Sequence, residues 1–173
     1  MILGAILAGG QARRFGSDKA LAPFNGTPMI DHVIAALRNV TDEIVVCGRA
    51  DAQWRALPDK PRPGLGPLGG LNAALEFART CGFRQVMTLP CDTPAVEPGL
   101  LARLATHSGP AFLLDCPVIG IWPSALAWDL SSWIDTSDDR SVRGWARSVA
   151  ATGLAWPAPT NINHVADFEN LDG

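Results

Sequence analysis

Ile2-Leu3-Gly4-Ala5-Ile6-Leu7-Ala8-Gly9-Gly10-Gln11-Ala12-Arg13-Arg14-Phe15-Gly16-Ser17-Asp18-Lys19 is a short apolar run that empties into a glycine-rich, cationic loop. The run is expected to form a buried first strand, residues 2–7. Gly9 and Gly10 carry no Cβ, so the backbone there can turn with positive φ and come close to an anion. Successive N–H groups in such a turn make a concave anion nest. Arg13, Arg14 and Lys19 add full charges, and arginine grips phosphate through two parallel hydrogen bonds. Strand, nest and cations in that order form a device for holding polyphosphate. The plainer reading of the same residues is a tight turn with solvated arginines. The loop is not a Walker A motif, because no Gly-Lys-Ser/Thr follows. Nor is it the dinucleotide fingerprint, because Arg13 stands where that pattern needs glycine.

Outward from this stretch, apolar runs alternate with helical periodicity. Met29, Ile30, Val33, Ile34 and Leu37 share one helical face, with Thr27 expected as N-cap and Pro28 as the first helical residue. Glu43-Ile44-Val45-Val46-Cys47 reads as a parallel strand. A loop rich in proline and glycine, 57–66, precedes a helix that starts near Pro67 and is striped by Leu68, Leu71, Leu75 and Ala78; Gly69 and Gly70 let its first turn lie close to something. Gln85-Val86-Met87-Thr88-Leu89 is the third strand and ends in Pro90-Cys91-Asp92-Thr93-Pro94. A helix over about 97–106 buries Leu100, Leu101 and Leu104. Two further strands are expected at 111–114 and 118–122. A helix near 124–134 should bury Leu126, Leu130 and Trp133, and another begins at Ser141. This alternation predicts a three-layer α/β/α sandwich around a mostly parallel, Rossmann-like sheet. Ligands in such sheets bind outside the carboxyl ends of the strands, which puts the 9–19 loop, the region after Cys47 and the Asp92 loop on one edge.

The chain has 173 residues, 47% hydrophobic and 18% charged, which suits one globular domain, 1–173, that buries about 70% of its unfolded surface. A net charge of −3 argues against a general nucleic-acid or membrane surface. Met1 to Leu7 is apolar, lacks a basic leader and is too short to span a bilayer, so it reads as a core strand and not a signal peptide. Cys47, Cys81, Cys91 and Cys116 form no Cys-x-x-Cys pair and read as reduced thiols of a cytoplasmic protein. His32, His107 and His164 lack ligand spacing, so zinc is not expected.

Asp92 sits between two prolines directly after an apolar strand, which fixes it at the mouth of the sheet. A carboxylate there serves either as a turn residue or, opposite a phosphate loop, as a ligand for Mg²⁺, which takes one or two carboxylates plus phosphate oxygens and waters. Asp59, in Leu57-Pro58-Asp59-Lys60-Pro61, is either a solvated turn acid or an acceptor for a base or ribose. Trp122, Trp133 and Trp145 fit apolar faces. Trp54 and Trp156 are expected to be buried sooner than to stack on a ligand.

Together these residues resemble the molybdenum cofactor guanylyltransferase family, whose fold is of the nucleotide-diphospho-sugar transferase type. The resemblance is carried by Leu7-Ala8-Gly9-Gly10-x-x-x-Arg14-x-Gly16-x-Asp18-Lys19-Ala20, then Asn25-Gly26-Thr27-Pro28, Gly66-Pro67-Leu68-Gly69-Gly70-Leu71, Cys91-Asp92-Thr93-Pro94 and Asn161-Ile162-Asn163. It implies that Leu7, Ala8, Gly9, Gly10 and Lys19 contact GTP, as does Asp59, and that Asp92 holds Mg²⁺. It places Asn161 and Asn163 near the pterin end. It also implies a reaction in which the terminal phosphate of molybdopterin attacks the α-phosphorus of GTP, releasing pyrophosphate, with Lys19, Arg14 and Asp92 as the catalytic groups. The partners it implies are GTP and a molybdopterin-type cofactor, with molybdoenzymes or their chaperones receiving the product. Cys47 departs from the pattern, standing where some members carry an asparagine that touches nucleotide. Two alternatives stay open: a cytidylyltransferase or sugar-phosphate nucleotidyltransferase of the same fold, and a non-catalytic protein that binds and delivers the cofactor.

Overall fold

The computed structural model describes residues 1–9, 19–49 and 53–157. Strand β1 is Ile2–Leu7, and a 3-10 turn at Lys19–Leu21 leads into a hairpin of β2 (Pro23–Phe24) and β3 (Thr27–Pro28). Asn25 and Gly26, both at positive φ (47° and 77°), make its two-residue turn, the conformation that matches strand twist. This hairpin takes Thr27 for itself. Pro28 therefore occupies the N-cap of helix α1, Met29–Arg38, which has no side-chain cap, in place of the expected Thr27 cap. His32 Nε2 lies 2.8 Å from the Phe24 carbonyl and holds the hairpin to the helix.

The chain continues through β4 (Glu43–Cys47), β5 (Ala56–Leu57), α2 (Pro67–Cys81), β6 (Gln85–Pro90), α3 (Pro98–Ala105), β7 (Ala111–Leu113), β8 (Gly120–Pro123), α4 (Ala127–Thr136), α5 (Val142–Ser148) and β9 (Thr152–Leu154). Seven strands form one sheet in the order β5-β4-β1-β6-β8-β7-β9. All run the same way except β8, which is antiparallel to both β6 and β7. The expectation of a mostly parallel, three-layer α/β architecture is met. Helices α1 and α3 cover one face with Ile6, Val46, Met87 and Leu89. Helices α2, α4 and α5 cover the other with Leu3, Ala5, Val45 and Trp122.

Side-chain burial departs from the periodic pattern in α4. Ala127, Leu130 and Ile134 are buried, whereas Leu126 and Trp133 only pack against the edge of the core. The Trp133 Nε1–H donates to the Asp139 carbonyl at 3.0 Å, and an indole that must satisfy this donor sits at a core margin. Trp122 and Trp145 are fully buried, with ring centroids 4.9 Å apart. Trp122 Nε1 donates to Thr88 Oγ1 (2.9 Å), which in turn donates to the Val118 carbonyl (2.6 Å). Thr88→Val strands a buried indole N–H and is expected to lower the unfolding free energy by about 1–3 kcal/mol, measured by urea denaturation. Among the described residues all four cysteines are free, and no helix is long and apolar enough to cross a membrane.

Candidate active site

The register of the parallel strands decides what stands on the rim. Leu7 is level with Cys47 on one side and Pro90 on the other, and Cys47 is level with Leu57. The carboxyl ends of β5, β4, β1 and β6 therefore finish in one line. Ala8-Gly9, Gly48, Asp59 and Asp92 follow directly from those four ends. Backbone bonds tie the exits together. Ala8 N donates to the Cys47 carbonyl (2.9 Å), Gly48 N to the Leu57 carbonyl (3.0 Å) and Cys91 N to the Leu7 carbonyl (3.2 Å).

The centre of the rim is built from glycines around one acid. Gly9 and Gly48 approach so closely that a Cβ on Gly48 would stand 2.5 Å from the Gly9 Cα, and Gly48 has φ +83°. The Asp59 carboxylate fills the space beside them, 3.5 Å from where a Gly9 Cβ would lie and 3.1 Å from a Gly48 Cβ. From the other side the first turn of α2 presents Gly69 and Gly70. A Cβ on Gly69 would meet Asp59 Cβ at 3.0 Å, and one on Gly70 would meet Cys47 Cβ at 3.0 Å and Leu7 Cδ2 at 3.1 Å. Gly69 and Gly70 are thus small because this turn closes on the ends of β1 and β4 and on Asp59.

Asp59 Oδ1 is buried without a hydrogen-bond partner among the described residues, and burial pushes its acid above the ordinary value of 3.8. An unsatisfied acceptor aimed into a glycine cradle is suited to a ligand N–H or O–H. Burial, with the nearby Asp59 charge second, pushes the Cys47 thiol up to about 12. That thiol keeps its proton at neutral pH, which removes it as a nucleophile. Burial also raises the Cys116 thiol, helped by the Asp92 charge and opposed by a hydrogen bond at Ile119.

Asp59 gives a direct test of the cradle. A carboxyl whose proton burial makes harder to lose contributes stability at low pH that is lost as pH rises from 3.8 through its folded-state value. Asp59→Asn removes that slope and is expected to leave the unfolding midpoint at pH 7 unchanged or higher. On the expectation that this carboxylate accepts from a nucleotide, the same substitution should raise the KM for the nucleoside triphosphate about tenfold or more. Chemical denaturation paired with steady-state kinetics reads both effects.

The structure thus brings Leu7, Ala8, Gly9, Asp59 and Asp92 to one rim. Of Lys19 only the backbone, opening a 3-10 turn, is described. Gly10, Arg14, Asn161 and Asn163, together with Arg13, lie outside the described residues. Gly48 escaped the sequence reading, although it follows an apolar strand just as Gly9 does. At the start of α3, Trp156 is half-buried; its Nε1 donates to Glu97 Oε2 at 2.7 Å, and its ring lies 3.5 Å from where a Gly99 Cβ would stand. Trp54 is half-buried against the α1 face of the core.

The profile of the MobA-like NTP transferase domain matches residues 4–150. A molybdenum cofactor guanylyltransferase of Rhizobium leguminosarum is 33% identical, over 99% of this chain and 87% of the relative. One from Rhodobacter capsulatus is also 33% identical, over 99% of this chain and 95% of the relative. Among solved structures, molybdopterin-guanine dinucleotide biosynthesis protein A of Archaeoglobus fulgidus superposes with a TM-score of 0.74 at 20% identity, covering 98% of this chain and 96% of that one. The 2-C-methyl-D-erythritol 4-phosphate cytidylyltransferase of Thermus thermophilus superposes with a TM-score of 0.72 at 15% identity, covering 98% and 95%. At those identities the two structures speak to the fold alone.

Proposed function

The chain belongs to the MobA-like NTP transferase family, and on that premise we propose that it transfers GMP from GTP to the terminal phosphate of the molybdenum–molybdopterin cofactor, giving the guanine dinucleotide form and pyrophosphate. The observation that carries this reading is the level rim, where a glycine cradle with an unsatisfied acid adjoins the exit of β6 that bears Asp92. Asp59 accepts hydrogen bonds from the nucleoside, the backbone at Leu7, Ala8 and Gly9 lies against its phosphates, and Gly10 serves the same phosphate contact. A phosphate oxygen of the acceptor attacks the α-phosphorus in line. The bond from that phosphorus to the bridging oxygen breaks, and pyrophosphate leaves with the electron pair. The attacking phosphate monoester is already anionic near neutral pH, so no strong general base is required. Catalysis is then positioning and charge stabilisation. Lys19 and Arg14 neutralise the β- and γ-phosphates and the developing charge. Asn161 and Asn163 serve the pterin end.

Among the described residues no three His, Cys, Asp or Glu side chains cluster to hold a metal by themselves. A single hard carboxylate on the rim fits Mg²⁺ that completes its shell with nucleotide oxygens and water, and Asp92 would hold it. When bound, such an ion supplies charge neutralisation at the phosphate oxygens. The free cysteines support a cytoplasmic enzyme, and the single seven-stranded sheet supports one unit over 1–173. Its product would pass to molybdoenzymes or their chaperones.

The test is a turnover and binding panel with Mg²⁺, the cofactor substrate, and GTP or CTP. GTP alone should support product and pyrophosphate release. Product from CTP would move the protein to the cytidylyl reading. Nucleotide or cofactor binding with no turnover would leave a delivery protein.

A further inference from the structure

Asp59 stands on a loop, yet the residue after it is tied to α2 at three points. Lys60 N donates to the Gly69 carbonyl at 3.1 Å. Lys60 Nζ meets Glu76 Oε2 at 2.6 Å. The Lys60 carbonyl accepts a long hydrogen bond from Asn72 Nδ2 at 3.5 Å. The same Asn72 Nδ2 also reaches Glu76 Oε1 at 3.4 Å, and its Oδ1 accepts from Ser131 Oγ of α4 at 3.2 Å. On the other side, Leu57 is held by Gly48 N. Asp59 is therefore pinned between the end of β4 and the α2 scaffold.

Asn72 is fully buried on a helix face otherwise made of Leu68, Leu71, Ala74 and Leu75. A buried amide in an apolar layer is costly unless satisfied, and leucine there would serve packing as well. What the amide reaches is the backbone beside Asp59 and the carboxylate that anchors Lys60. We propose that Asn72, with Glu76 and Lys60, is a positioning residue that holds the Asp59 carboxylate in the glycine cradle before the nucleotide arrives. The clamp acts through Asp59, and the proposal rests on Asp59 contacting the nucleoside.

The experiment compares Lys60→Met, Lys60→Arg, Asn72→Leu and Asp59→Asn, singly and with each clamp variant combined with Asp59→Asn, in the full chain. The readouts are KM for GTP, kcat and the urea midpoint. Lys60→Met alters a half-exposed pair and leaves the core untouched, so it tests the clamp even if Asn72→Leu fails to fold. Lys60→Met and Asn72→Leu are expected to raise KM for GTP about three- to tenfold with kcat within about twofold, the size of coupling seen between neighbouring groups. Lys60→Arg should keep the wild-type KM. In the Asp59→Asn background the clamp variants should add nothing further. Three results would overturn the proposal. If Asp59→Asn binds GTP normally, the nucleoside-contact reading itself fails and the clamp has nothing to position. If Asp59→Asn weakens GTP binding but the clamp variants do not, the network is only structural. If clamp and Asp59 effects multiply in full, the clamp acts elsewhere.

Discussion

Asp92→Ala is expected to cut GMP transfer about a hundredfold or more while the protein stays folded, a loss on the order of 3 kcal/mol of transition-state stabilisation. The side chain is half-buried at the exit of β6, and the backbone that places it is held independently of the carboxylate. Cys91 N donates to the Leu7 carbonyl, and Pro90 stays level with Leu7. Removing the acid therefore leaves those backbone bonds in place and, on the proposed reading, takes away a hard anionic ligand. Asp92→Asn should be nearly as damaging, because an amide keeps the volume and loses the charge that Mg²⁺ selects. Pyrophosphate release under saturating GTP, with circular dichroism as a control, measures this. Near-wild-type turnover by folded Asp92→Ala would remove Asp92 from the chemistry.

Gly48→Ala is expected to destabilise the protein by about 3 kcal/mol, combining a left-handed backbone cost with a clash against main chain that has nowhere to go. The new Cβ would meet Gly9 at 2.5 Å (Cα) and 2.7 Å (N). Gly9 must then move off the rim, so GTP affinity should fall more than about tenfold, a loss comparable to removing a hydrogen bond to a charged group. Gly82→Ala is the matched control. Gly82 has nearly the same φ, +82° against +83°, but a Cβ there would meet nothing within 4 Å. It should cost only about 1 kcal/mol and leave GTP binding alone. Equal urea midpoints for the two variants would show that the Gly9–Gly48 approach is not tight.

What the sequence made legible followed from the strength of each local signal. β1, β4 and β6 are apolar runs of five or six residues ending in special chemistry, so both the parallel core and its rim could be read. β5 and β9 have two and three residues, too few to show a period. The direction of β8 is invisible for another reason: Gly120–Pro123 presents the same residues to the core whichever way it runs, and only the short connection from β7 reverses it. Asp59 was ambiguous because a Pro-Asp-Lys-Pro loop looks like solvated turn chemistry. Its meaning comes from Gly9, Gly48, Gly69 and Gly70, residues distant along the chain that meet only in the fold. Asn72 was illegible for a similar reason, since its partners Lys60 and Ser131 lie on other elements.

The anchoring of Trp156 to Glu97 and Gly99 bears on how the protein is best handled. Trp156 sits against the start of α3, which follows the exit of β6 that bears Asp92. Met1 lies at the opposite end, 59% exposed. An affinity tag placed ahead of Met1 therefore stands at the far end of the sheet from the rim, and assays of metal dependence belong to that amino-terminal fusion.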